Sequence, residues 1–210
     1  MDILYRVGTF LIGYAFGCLQ TSYIIGKLFY KIDIRQHGSG NAGATNATRV
    51  MGKKFGLITL LFDLLKGLLV VLLCSIIFRN NETINLDTIK IYAAIGAVIG
   101  HCYPFFLGFK GGKGVATTGG SIFAFHPWIA ISGGALFFLV AFITKYVSLS
   151  SITLASFYGI VIAIVYRGNI EIGIIGVLIG LLVIVRHSSN IKRLLNRTEL
   201  KFSFNHKKEL

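Results

Sequence analysis

The sequence predicts an all-α integral membrane protein with about seven transmembrane helices, N-terminus out and C-terminus in, built as one membrane domain over residues 1–210. Three observations carry this. Of the 210 residues, 54% are hydrophobic and 14% charged, with mean hydropathy +0.74, which leaves too little polar surface to coat a soluble domain of this size. Long apolar runs occupy 55–78, 130–144 and 170–185, lengths that suit a hydrocarbon core. The charge is lopsided: 21 Lys and Arg against 8 Asp and Glu, a net +13. In a soluble chain that excess would suggest nucleic acid. In this one the positive-inside rule and anionic headgroups account for it, so membrane lipids are expected as partners and nucleic acid is not. Secreted disulfide scaffolds, disordered tails and cytosolic enzymes are excluded by the same composition.

A backbone group bared to lipid has no partner, so each run is read as a helix. The first covers 3–29. Asp2 stands where a signal peptide would be basic, and no small-residue cleavage site precedes Lys27, so this stretch reads as a span. The second, 55–78, contains Asp63 and Lys66, three residues apart on one helix face; each is costly in lipid unless paired or turned inward. The third, 89–107, places His101 beside Cys102, and this histidine is read as a satisfied interior group. The fourth, 114–126, is short for about 30 Å of hydrocarbon at roughly 1.5 Å per residue. Pro127 then breaks the chain before 127–144, so a re-entrant hairpin with five spans is the alternative. The sixth, 148–166, opens at Tyr146–Ser151, where N-capping is the ordinary use of Ser148 or Ser150. The last, 170–186, leads into a basic cytoplasmic tail, 187–210. With the N-terminus out, 16 of the 21 basic side chains fall inside, four outside and Lys66 within a span. The three cysteines, Cys18, Cys74 and Cys102, have no metal-ligand spacing, so no metal is expected.

Three polar segments fall on the inner side. The first is GSGNAGATNATR, Gly38 to Arg49. Its glycines allow close backbone approach to an anion, Ser39 and Thr45 add hydroxyls, and Arg49 offers a planar fork for phosphate. The second is GFKGGKGVAT, 108–117, a glycine-rich loop around Lys113 that feeds a helix start, a favourable place for an anion. It lacks the spacing of a nucleotide-binding P-loop, so ATP is not implied. The third is RHSSNIKRLL, 186–195. There His187 and Asn190, three apart, are expected to share a helical face at the membrane surface, and a histidine can orient or deprotonate a hydroxyl. A flexible loop, snorkelling lysines and a headgroup-binding tail are the plain alternatives for the three segments.

At these segments the chain resembles the bacterial membrane-integral glycerol-3-phosphate acyltransferases that use acyl phosphate, the PlsY family. FDLLKG at 62–67 and KYVSLSS at 145–151 match as well, so the resemblance spans nearly the whole chain. It departs at Gly17-Cys18, where the family usually has Gly-Ser, and at Arg197, where the family often has glycine. No histidine is followed five residues later by Asp, the pairing of another common acyltransferase class.

The resemblance implies acyl transfer from acyl phosphate to the 1-hydroxyl of sn-glycerol 3-phosphate, giving lysophosphatidate and phosphate, without a cofactor. It implies an inner (plasma) membrane location, an active site facing the cytoplasm, and a functional link to the enzyme that makes acyl phosphate. On this reading Ser39, Asn41, Arg49, Lys113, His187 and Asn190 are catalytic. Gly38, Gly40, Thr45, Asn46, Gly111, Gly112, Gly114, Ser148 and Arg186 bind substrate. The proton acceptor is either His187 or a phosphate oxygen of the substrate. A transporter or a structural subunit is the rival class, but the two halves are unalike and the glycine-rich loops gather on one side.

Overall fold

The computed structural model describes residues 2–81 and 83–201; Glu82, and Lys207 and Lys208 of the expected tail, lie outside them. Among the described residues the chain is all-helical, and each of the seven expected segments is helical. In order the α-helices are α1 (Asp2–Gly17), α2 (Thr21–Ile25) continued by a π turn at Gly26–Tyr30, α3 (Ala44–Met51), α4 (Lys53–Phe78), α5 (Leu86–Cys102), α6 (Val115–Phe125), α7 (Pro127–Thr144), α8 (Val147–Val165), α9 (Ile170–Arg186) and α10 (Ser188–Leu195).

Five stretches are long and apolar enough to cross a membrane: Asp2–Tyr30, Lys53–Phe78, Leu86–Leu107, Pro127–Thr144 and Val147–Val165. A sixth forms if α9 and α10, bent by 59°, count as one broken span. The fourth expected segment is the 11-residue α6, about 16 Å long at 1.5 Å per residue and so half a bilayer deep. The first span is not continuous. It breaks at 18–20, and α2 restarts at Thr21.

Helix α5 is the centre of the bundle. Ala93, Ala94, Ala97 and Val98 are fully buried, with α1, α4, α6 and α9 packed around them. Against α1 the seam is made of Gly13, Gly17, Gly96 and Gly100, where a Cβ at any of them would run into backbone of the opposing helix. Small residues let helices approach closely where lipid gives no hydrophobic drive. The outer faces are apolar as well: Phe138, Phe142 and Ile143 of α7 point away from the protein. At one end, Arg6 of α1 holds Glu171 of α9 through two bonds of 2.7 and 2.9 Å, and the Tyr92 hydroxyl of α5 donates to the same carboxylate at 2.8 Å. The other end gathers the three polar segments.

Candidate active site

The loop before α3 is shaped by its own glycines and one asparagine. Gly38 and Gly40 adopt φ of 58° and 71°, left-handed values that strain any other residue type. Into this turn reaches Asn46, which is 1% exposed. Its Oδ1 accepts from the Ser39 backbone N–H at 2.8 Å, and its Nδ2 donates to the carbonyls of Ile34 and His37 at 3.2 and 3.0 Å. The Gly40 N–H donates to His37. Two of the N–H groups expected to face an anion are thus committed inside the loop, and Asn46 builds the loop rather than its surface. Ser39, Gly40 and Asn41 are what the loop presents to the cavity beside it.

The second loop runs back along the end of α5. Gly111 and Gly112 donate their N–H groups to the carbonyls of Cys102 and His101 at 3.1 and 3.0 Å. A Cβ on Gly112 would run into the His101 imidazole and the Ala42 carbonyl, so only glycine fits. This close lay-down carries Lys113 to a fixed place above the start of α6, and Gly114 begins that helix with φ 84°.

The third segment turns at His187. Arg186 ends α9, and its guanidinium donates to the carbonyl of Gly112 at 3.1 and 3.0 Å and of Gly111 at 3.2 Å while stacking on Tyr103. Its donors clamp the lysine loop. His187 forms the corner between α9 and α10, rather than a position on one continuous helix with Asn190. Both are nonetheless buried, at 3% and 6% exposure. The His187 Nδ1 lies 2.8 Å from the Val183 carbonyl; a carbonyl only accepts, so Nδ1 carries the proton and Nε2 is the acceptor. Burial pushes this imidazole down to about 4.

These segments enclose a cavity of about 380 Å³. Lys110, Gly111 and Lys113 form one wall, Arg186, Ser188, Ser189 and Arg193 another, and Arg35 closes the rim beside the Ser39 loop. Among the described residues, no carboxylate lines it. Arg35 is paired with Asp33 at 2.7 Å and Arg193 with Glu199 at 2.7 Å. Lys110, Lys113 and Arg186 have no carboxylate within ion-pair distance among the described residues. Lys113 donates instead to Asn190 Oδ1. Burial, then the positive charge of Arg193, pushes the Lys113 ammonium down to about 8, with Glu199 pulling the other way. Several cations with so little neutralisation make a site for a multiply charged anion.

Of the expected site residues, Ser39, Gly40, Asn41, Gly111, Lys113 and Arg186 line this cavity. Arg49, in the last turn of α3, contributes its charge near Lys113 without lining the cavity, and Thr45 points to the exterior. Ser148 is buried at the start of α8, on the side of Glu199. Sequence reasoning missed Glu199. Its carboxylate accepts from Asn190 Nδ2 and Arg193 Nε, both at 2.7 Å. The signal was present, since Glu199 is the one acidic residue between Arg186 and Lys201. Arg35 and Lys110 were read only as inner-side charges.

Comparison with known proteins bears on this site. A family model described as glycerol-3-phosphate acyltransferase matches residues 7–197. The chain is 44% identical over 194 residues to the glycerol-3-phosphate acyltransferase of Macrococcus caseolyticus, covering 92% of this chain and 95% of the relative. It is 40% identical over 191 residues to that of Bacillus subtilis, covering 91% and 94%. Among solved structures it is similar to the glycerol 3-phosphate form of PlsY (YgiH), an integral membrane glycerol 3-phosphate acyltransferase. That match has a TM-score of 0.83 and 34% identity, over 94% of this chain and 96% of the other. The lysophosphatidic acid form of the same enzyme matches with a TM-score of 0.79 and 34% identity, over 94% and 95%.

Proposed function

Since the chain belongs to the glycerol-3-phosphate acyltransferase family, we propose that it moves a fatty acyl group from acyl phosphate to the 1-hydroxyl of sn-glycerol 3-phosphate, releasing lysophosphatidate and inorganic phosphate. One observation carries the reading: three segments far apart in sequence converge on a cavity whose lining, among the described residues, holds several cations and no carboxylate. Both substrates end in phosphate, and the donor's tail suits a site opening beside lipid.

The donor is a mixed anhydride with phosphate as leaving group, so neither a covalent enzyme intermediate nor a cofactor is required. The acceptor oxygen attacks the acyl carbon, the bond to the phosphate oxygen breaks, and the hydroxyl proton ends on released phosphate. The enzyme's part is to position and to stabilise charge. Lys113 and Lys110 attract glycerol phosphate, Ser39 and Asn41 receive the second phosphate and the developing oxyanion, and Arg49 adds positive potential. Arg186 and Asn46 hold the two loops in shape. His187 offers Nε2 to the attacking hydroxyl, with Asn190 fixed beside it. An imidazole at about 4 is a weaker base than a phosphate whose second ionisation falls near pH 6. A phosphate oxygen is therefore the better proton acceptor, and His187 orients the hydroxyl. The basic segments argue for N-out, C-in threading, so the cavity opens to the cytoplasm at the inner membrane surface, where an acyl-phosphate-forming enzyme would deliver the donor.

The test is reconstitution. Purified protein given acyl phosphate and glycerol 3-phosphate should release lysophosphatidate and phosphate in equal amounts, while acyl thioesters in the donor's place should yield none. Lys113→Ala should raise the KM for glycerol 3-phosphate by about tenfold or more, the loss of a charge-assisted hydrogen bond. Product from thioesters alone would reject the donor assignment, and an unchanged KM would reject the role of Lys113.

A further inference from the structure

Behind the cavity, on its membrane side, lies a second polar cluster that the proposed chemistry does not use. The break after α1 leaves the Leu19 carbonyl without a helical partner, and Lys66 of α4 reaches it at 2.6 Å. The same ammonium lies 2.8 Å from Asp63 Oδ1 and 2.8 Å from His101 Nδ1. All three side chains are at most 5% exposed. With three donors spent on three acceptors, the lysine is fully satisfied. An ammonium only donates, so His101 accepts at Nδ1 and turns its protonated Nε2 edge outward. That edge is what Gly112 backs onto. The His101 carbonyl also accepts from the Gly112 N–H at 3.0 Å and from Gln20 Nε2 at 3.0 Å. Gly112 immediately precedes Lys113.

We propose that Asp63, Lys66 and His101 are positioning residues for acyl transfer: a buried triad that fixes the Gly111–Gly112 backbone from below, as Arg186 does from above, and thereby sets where the Lys113 ammonium meets substrate phosphate. A merely structural ion pair would need no histidine in contact with the loop. Among the described residues the imidazole joins the charge pair to Gly112, and its contact with the Lys66 ammonium sets its tautomer. Loss of that link leaves the helices packed but lets the loop drift, and a drift of a fraction of an ångström weakens a charge-assisted contact.

This inference rests on glycerol 3-phosphate being the anion bound, and the experiment separates the two. Equilibrium binding of glycerol 3-phosphate, its KM, kcat and Tm are measured on purified wild type, on His101→Asn, and on the double variant Asp63→Leu/Lys66→Met. In His101→Asn the amide oxygen keeps an acceptor near Nδ1 for Lys66 but removes the edge against Gly112. The double variant removes both charges together, so neither is left buried alone. The expected result is a parallel rise of about tenfold in Kd and KM in both variants, with Tm near wild type. Wild-type Kd and KM in His101→Asn, or losses confined to Tm and kcat, would overturn the triad's positioning role. Wild type that fails to bind glycerol 3-phosphate would overturn the substrate reading, and this inference with it.

Discussion

Lys113 donates its ammonium to the side-chain oxygen of Asn190, a neutral acceptor, while the Asn190 amide donates to Glu199 at 2.7 Å. The asparagine therefore holds the lysine in place without cancelling its charge, and the carboxylate that orients the asparagine stands one residue removed. Changing Asn190→Asp would put a negative charge directly on Lys113 and set it against Glu199. The expected outcome is a rise of about tenfold or more in KM for glycerol 3-phosphate, larger than for Asn190→Ala, because the aspartate competes with phosphate for the same ammonium. Steady-state kinetics on both variants checks the order; a smaller effect for Asp than for Ala would contradict it.

The pH dependence follows from two groups outside the spans. Burial, with Arg193 next in weight, pushes the Lys113 ammonium down to about 8, and only its charged form attracts phosphate. kcat/KM for glycerol 3-phosphate, which reports the free enzyme, should fall as pH rises through about 8. Lys113→Arg keeps its charge at any such pH, so its profile should lose that alkaline limb even where its absolute rate is lower. Burial pushes His187 down to about 4, so it is neutral throughout this range. An acid limb near the second ionisation of phosphate, about pH 6, should survive in His187→Gln while kcat drops.

Glu199 is expected to matter through what it holds. Burial raises its carboxyl, but the nearby Ser148 hydroxyl and the hydrogen bonds from Asn190 and Arg193 outweigh that and keep it below the ordinary range, so it is ionised at neutral pH. Glu199→Ala frees Arg193 and releases the Asn190 amide at once. Glu199→Gln keeps an acceptor for Asn190 but drops the charge opposite Arg193. Activity should therefore fall in the order wild type, Gln, Ala, with about tenfold or more lost in the alanine variant. Equal losses in Gln and Ala would show that the charge alone counts.

How far the sequence reached is plain from particular residues. The three cavity walls were visible because glycine, small hydroxyl and basic residues cluster in segments of about ten residues, and such chemistry between apolar runs has few other uses. The pairing of Asp63 with Lys66 was visible from helical spacing and the cost of charge in lipid. What stayed hidden depends on direction. Asn46 and Thr45 are neighbours in one motif, yet one is turned inward as the brace of the Ser39 loop and the other faces out. Arg186 carries a phosphate-binding fork, but its Nε and Nη2 donors are spent on the Gly111 and Gly112 carbonyls, which leaves Nη1 for the cavity that it lines. The break at 18–20 was also hidden, because Leu19 and its neighbours read as one apolar run while the group that makes the break tolerable, Lys66, lies on another helix. Composition reports which chemistry is available; only packing decides which donors remain free.

The last prediction concerns Arg197, at the place where the family often has glycine. Helix α10 ends there in a closed turn: the Arg197 N–H donates to Leu194 and the Thr198 N–H reaches back to Arg193 at 2.8 Å, with Arg197 itself at φ 58°. This is the left-handed residue that follows many helix ends, and it is glycine in most of them because a Cβ costs about 1 kcal/mol there. The turn has a purpose, since it folds Glu199 back onto Asn190 and Arg193. Arg197 makes no hydrogen bond or ion pair through its side chain among the described residues. Arg197→Gly should therefore relieve strain without disturbing the cavity. The expected change is a Tm higher by about 2–4 °C per kcal/mol relieved, with KM for glycerol 3-phosphate unchanged. Arg197→Val, β-branched at a positive φ, should move Tm the opposite way and raise KM as Glu199 loses its place. Thermal unfolding and steady-state kinetics on the two variants test both, and a Tm for the glycine variant at or below wild type would remove strain at this turn from the account.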